Sequence, residues 1–246
     1  MIHVSNLHLT IGGRPLLQGM DLHVESGSVW GIIGPPGGGK SLFVKTLCGL
    51  FRPDRGSIII DGTEIVGLSE PSMVPVRRKI GMLFQNNALF DFMRVWENVA
   101  FPLARLRPEL SQDTLRERSL MRLQEVGLLG SEDKWPAELS GGMKKRVGIA
   151  RATMTDAPLV IYDEPTAGLD PVTTSKIYDL LEKIRQETGA TVLAISSDIE
   201  GLSTFVKNMM LIHEGRFLFQ GPLSELTDCG DPLVHQFIRG LEEGPL

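Results

Sequence analysis

The chain has 246 residues, 42% hydrophobic and 22% charged, a balance that excludes a disordered or fibrous polypeptide and allows one large α/β domain or two small ones. Lys and Arg number 25 against 30 Asp and Glu, and the net charge of −5 argues against nucleic acid as the main partner. No apolar run approaches the roughly 20 residues that cross a bilayer, and the N-terminus shows no basic segment leading into an apolar one. Cys48 and Cys229 sit in no CxxC pair or histidine cluster, so neither zinc nor a disulfide framework is implied, and the chain reads as cytoplasmic.

In chain order, loose alternation over residues 2–9 and 20–24 predicts antiparallel strands. Residues 29–33 (Val-Trp-Gly-Ile-Ile) read as a short buried strand. A turn over 34–39 leads into a helix from Lys40, with Phe43, Leu47 and Leu50 at helical spacing, until Pro53 and Gly56 break it. Residues 57–60 and then Asp61-Gly62 read as strand and turn, and 80–84 as a second buried strand. From 95 to 129 helix formers replace strand signals, so an inserted helical subdomain is expected, entered after Gln85. A strand over 159–162, a helix over 173–188 and a strand over 191–195 follow. This β–α alternation implies a mainly parallel sheet covered by helices.

Glycine is the outlier of the composition, at 27 residues, and its clusters carry the chemistry. Gly34-Pro35-Pro36-Gly37-Gly38-Gly39-Lys40-Ser41 matches GxxxxGK[ST] between a strand and a helix. Glycines leave backbone N–H groups free to wrap a phosphate, and the helix that begins at Lys40 turns its positive end toward the anion. Lys40 supplies charge to the β- and γ-phosphates, and the Ser41 hydroxyl is a Mg²⁺ ligand. Leu42 closes the loop's nucleotide contacts. Downstream, Leu159-Val160-Ile161-Tyr162 ends in Asp163 and Glu164. If that strand neighbours the phosphate-loop strand, Asp163 stands near the metal and Glu164 is the candidate base for an attacking water. Leu139-Ser140-Gly141-Gly142-Met143 precedes a helix whose apolar stripe is Met143, Val147, Ala150 and Met154, with Lys144, Lys145 and Arg146 outside it. A serine with paired glycines at a helix start is a second anion-binding arrangement, or simply a cap.

The order of phosphate loop, Gln85, Leu-Ser-Gly-Gly-Met, Tyr-Asp-Glu-Pro and Ala167-Gly168-Leu169-Asp170 resembles the ATP-binding cassette ATPases over nearly the whole chain. The resemblance implies an α/β fold: a P-loop NTPase core with a mainly parallel sheet, an N-terminal antiparallel β-subdomain and an inserted helical signature subdomain. It implies one nucleotide-binding domain over 1–246, with core and β-subdomain over 1–90 and 157–230, the helical part over 91–156 and a C-terminal helix and tail over 231–246. It also implies ATP and Mg²⁺, with Gln85 as a metal ligand and γ-phosphate sensor and Asp170 as the D-loop aspartate of the nucleotide site. One ATP cannot use two separated anion sites of one chain, so two copies are expected to pair head to tail, each signature completing the other's site.

Residues 82–90, the Met of the signature and the ending 236–245 look like the lipid-transport ATPases of the Mla/Mce type. That subfamily implies an integral membrane permease, an Mce-type lipid-binding protein, a STAS-domain accessory subunit and a place on the cytoplasmic face of the inner membrane. Two positions depart from the cassette pattern. Ser197 stands where a histidine usually contacts the γ-phosphate, and a hydroxyl cannot carry that positive charge, so slowed hydrolysis is expected. A catalytically weak regulatory subunit is therefore one alternative, and a non-transport cassette ATPase another. Ile11 stands where an aromatic residue usually stacks on adenine, and it is either that platform or ordinary packing. Phe90 and Phe92 form either the lip of a groove for a permease helix or packing between subdomains. Val234, Ile238 and Leu241 are helically spaced in the tail, and docking of that stripe on a partner is expected rather than folding back.

Overall fold

The computed structural model describes residues 1–245. Leu246, the last residue of the expected tail, lies outside them. The chain divides into two compact units, residues 1–77 with 191–246 and residues 78–190.

The first unit opens with β1 (Ile2–Ile11) and β2 (Arg14–Val24), an antiparallel hairpin turned at Gly12-Gly13. Alternation sets its faces: Ile2, Val4, Leu7 and Leu9 are buried, while His3 and Thr10 point outward. Then come β3 (Val29–Ile33), α1 (Lys40–Leu47), β4 (Arg55–Ile60), β5 (Thr63–Glu64) and α2 (Glu70–Arg77). β1 lies between β2 and β4 in an antiparallel sheet ordered β2-β1-β4-β5. α1 stops at Cys48, earlier than the spacing of Leu50 suggests, because Gly49 takes a positive φ of 66° and ends the hydrogen-bond ladder. Helix α2 was not legible in the sequence, since Pro71 and Pro75 read as breakers; Arg77 holds its end by donating to the Cys48 and Gly49 carbonyls and pairing with Glu70.

The second unit runs β6 (Ile80–Leu83), α3 (Val95–Leu106), α4 (Gln112–Glu125), α5 (Gly141–Thr153), β7 (Leu159–Asp163) and α6 (Pro171–Thr188). β6 and β7 are parallel, in register from Ile80 opposite Leu159 to Leu83 opposite Tyr162. α5 lies directly on β6: a Cβ at Gly81 would stand 2.0 Å from the Ala152 carbonyl oxygen, so only glycine permits this approach. Local caps start the helices. Ser111 accepts from Thr114 N, Ser140 from Met143 N and Asp170 from Thr173 N.

The chain returns to the first unit with β8 (Thr191–Ile195), α7 (Ile199–Phe205), β9 (Asn208–His213), β10 (Arg216–Pro222), α8 (Leu223–Leu226) and α9 (Pro232–Arg239). β3 is flanked by β8 on one side and β9 on the other, parallel to both, with β10 antiparallel on β9. Both edges of β3 are thus taken, and the expectation that the Asp163 strand neighbours it is corrected. In the tail, Val234 is fully buried within the chain while Leu241 is 47% exposed. The stripe expected to face a partner is turned inward at its first member, and Asp231 starts α9 just before it by accepting from Leu233 N and Val234 N.

Among the described residues no helix is long and apolar enough to cross a membrane.

Candidate functional site

In the first unit, β3 runs into the phosphate loop and α1 leaves it. Gly34, Gly37 and Gly39 all have positive φ (144°, 76° and 108°), which accounts for both fixed glycines of the motif and for Gly37 at a position the motif leaves open. Gly34 is constrained twice, since a Cβ there would also stand 2.0 Å from the Ile212 carbonyl oxygen. Gly38 is buried against the same carbonyl, while Pro36 and Gly37 are exposed. The Gly38 N–H donates to the Pro35 carbonyl and its own carbonyl accepts from Gly215 N. Lys40 Nζ donates to the Gly34 and Pro35 carbonyls at 2.7 and 3.0 Å, so the ammonium is curled over the loop. Gly39 caps α1 without a side-chain hydrogen bond of its own, and the N-terminal turn of the helix follows the loop directly. Ser41 and Leu42 lie in that turn, both half-buried.

Ile11 and Ser197 belong to the same unit. Ile11 ends β1 with 41% of its surface exposed, so it does not serve as core packing. Ser197 is exposed two residues beyond β8, the strand beside β3. The turn around it is built by Asp198, whose N–H donates to Ser196 Oγ and whose carboxylate accepts from Gly201 N to start α7.

In the second unit, β7 delivers Asp163 and Glu164, 1% and 9% exposed. Glu164 has φ +54°, uncommon for a residue with a side chain. Gln85 is exposed, two residues beyond β6. Lys145, which the helical periodicity places outside the apolar stripe of α5, is only 5% exposed: its Nζ donates to the Gln85 carbonyl at 2.9 Å and to the Glu164 carbonyl at 2.7 Å. Burial pulls its pKa below the usual lysine range, and the Glu164 and Asp163 carboxylates oppose that shift. Arg151, on the same helix, donates to the Asn87 and Ala88 carbonyls, and burial brings its pKa down to about 10. Neither cation had a sequence signal, because their partners are backbone carbonyls.

At the start of α5, Ser140 and Gly141 are exposed, and nothing lies within 4 Å of a Cβ built on Gly141. Gly142 faces Leu169 and Thr173, each 3.8 Å from a Cβ placed there. The signature glycines and the loop of Asp170 therefore share one surface of this unit. Asp170 accepts from Thr173 N at 3.0 Å and from Thr173 Oγ1 at 2.6 Å, which holds its carboxyl below the usual range.

A cavity of about 350 Å³ opens in the same unit, lined by Met82, Phe84, Ala88, Phe90, Phe101 and Arg151 among others. The Phe90 ring lies 4.7 Å from Phe101, Arg151 stacks over it at 5.7 Å, and Phe92, its ring centroid 5.7 Å from that of Phe90, is 75% exposed. Phe90 thus packs inside one unit and lines an opening at once.

A profile of the ABC transporter family matches residues 17–167. The protein of Mycobacterium leprae named "Probable ribonucleotide transport ATP-binding protein mkl" is 38% identical over all of this chain and 70% of its own length. The intermembrane phospholipid transport system ATP-binding protein MlaF of Haemophilus influenzae is 35% identical over all of this chain and 93% of its own. Among solved structures, the dimeric post-hydrolysis state of the ATP-binding cassette MJ0796 bound to ADP and Pi matches with a TM-score of 0.85 at 31% identity, covering 91% of this chain and 99% of that one. The chain belongs to the ABC transporter family and is an ATPase of that family.

Proposed function

We propose that this ATPase powers phospholipid transport of the Mla/Mce type between bacterial membranes. The observation that carries the reading is the match to MlaF, which spans both chains nearly end to end, whereas the mkl protein extends well beyond the matched part. The name of the latter favours a second reading, ribonucleotide transport.

In this proposal ATP is held by residues 34–42, with Lys40 turning from the Gly34 and Pro35 carbonyls to the phosphates, and Ile11 against the base. The donors Ser41, Gln85 and Asp163 suit Mg²⁺, a hard cation that takes oxygen ligands and few carboxylates. Bound Mg²⁺ supplies charge compensation for the phosphates. Glu164 accepts the proton of the attacking water, and the geometry of the attack, rather than covalent chemistry, lowers the barrier. Ser140, Gly141, Gly142 and Asp170 complete the ATP site of a second copy, head to tail. Ser197, lacking a positive charge, slows the step.

The further partners are an integral membrane permease, held through the Phe90 cavity, an Mce-type lipid-binding protein and a STAS-domain subunit, with the ATPase on the cytoplasmic face of the inner membrane. Reconstitution of the full complex in liposomes tests the reading. ATP-dependent transfer of labelled phospholipid is expected; transfer of labelled ribonucleotide instead would establish the second reading.

A further inference from the structure

Helix α5 begins at the signature and carries two buried cations on the side that meets the loop after β6. Between them Gly148 lets the helix touch that loop: a Cβ there would stand 2.5 Å from Leu83 Cδ1 and 3.6 Å from Asn87 Cβ. Arg151 takes the carbonyls of Asn87 and Ala88, both of positive φ (59° and 47°). Lys145 takes the carbonyl of Gln85 and, with its next proton, the carbonyl of Glu164. The Glu164 carbonyl also accepts from Ala167 N at 3.4 Å, so its peptide plane is fixed from two sides while its backbone holds a left-handed conformation.

An ammonium has three donors and no acceptor, and carbonyls offer only acceptors, so lysine serves both carbonyls with two of its donors where an apolar side chain of that length serves neither. We propose that Lys145 is a positioning residue for ATP hydrolysis: by bridging the Gln85 and Glu164 carbonyls it fixes the backbone from which both side chains project, and ties that backbone to the first turns of the signature helix. The proposal rests on the reading of Glu164 as the base. A displacement of about 1 Å at a reacting group costs on the order of 10²-fold in rate, so a lost bridge is visible in turnover without a change in nucleotide affinity.

The test compares Lys145→Met and Lys145→Arg in the assembled transporter, measuring kcat, the KM for ATP and the affinity for a non-hydrolysable ATP analogue. Lys145→Met is expected to lower kcat by about 30-fold with KM and analogue affinity within about threefold, and Lys145→Arg, which keeps the donors, to recover most of the rate. In single-turnover assays on Glu164→Gln, adding Lys145→Met is expected to cost clearly less than the roughly 30-fold it costs alone, because the part of its effect that passes through Glu164 is already gone. A Lys145→Met enzyme with unchanged kcat, a loss matched by weaker analogue binding, or losses that multiply in the Glu164→Gln background would each overturn the proposal. If Lys145→Met does not fold, Lys145→Gln, too short to bridge both carbonyls, is judged by the same criteria. Glu164→Gln alone hydrolysing at the full rate would remove the base assignment, and that is read independently of Lys145.

Discussion

The Asn98 carboxamide takes both backbone polar groups of Phe90: its Oδ1 accepts from the Phe90 N–H at 2.8 Å and its Nδ2 donates to the Phe90 carbonyl at 3.1 Å. The same Nδ2 reaches the Met93 and Arg94 carbonyls, each at 3.1 Å, and the side chain is wholly buried. Asn98→Leu keeps the volume and strands these groups, at a cost of about 2–4 kcal/mol in chemical denaturation. Because the clamp sets the loop at the mouth of the cavity, permease-stimulated ATPase should fall further than the basal rate.

Two glycines of one loop should respond differently to alanine. At Gly37 only the positive φ opposes a side chain, since nothing lies within 4 Å of the added Cβ, and Gly37→Ala should cost about 1–2 kcal/mol. Gly34→Ala adds a collision with the Ile212 carbonyl, for roughly 2–6 kcal/mol in total and loss of ATP binding. Denaturation curves and nucleotide titration of the two variants check the order.

The two phenylalanines separate docking from folding. Phe92 is 75% exposed, so Phe92→Asp should leave the unfolding free energy within about ±0.5 kcal/mol, as expected for a surface change, yet abolish co-purification with the permease. Phe90→Ala should lose both stability and docking, since its ring packs on Phe101 and lines the cavity. Full permease retention by Phe92→Asp would place the contact elsewhere.

Ser197→His should raise ATPase turnover of the assembled transporter, by as much as about 10²-fold if the missing charge limits the step. Ser197 is exposed beyond β8, so the change is expected to cost little stability. Equal rates in the two enzymes would show that hydrolysis here does not depend on that position.

What the sequence revealed and what it concealed follow from where the physics lies. The phosphate loop was legible because its chemistry is local: a strand, glycines with forced backbone angles, and a lysine at fixed spacing. β7 was legible as an apolar run ending in acids, but its place was not, since strand order depends on which strands take both edges of β3. β9 and β10 went unread, although Asn208–His213 is an apolar run, because no motif marks them. Lys145 and Arg151 were the hardest. Helical periodicity assigns a cation to solvent, and only a neighbouring loop with unpaired carbonyls reverses that assignment.

Gly215 is distant in sequence from the phosphate loop it supports. Its N–H donates to the Gly38 carbonyl, its carbonyl accepts from Gln18 N, and a side chain there would strike the Leu16 carbonyl. During synthesis the loop is made well before the turn that braces it. Residues 78–190 are contiguous and can fold as they appear. A nascent chain that has passed Ser41 therefore carries the whole phosphate-binding sequence without its finished shape, and gains it only when the ribosome has passed residue 215.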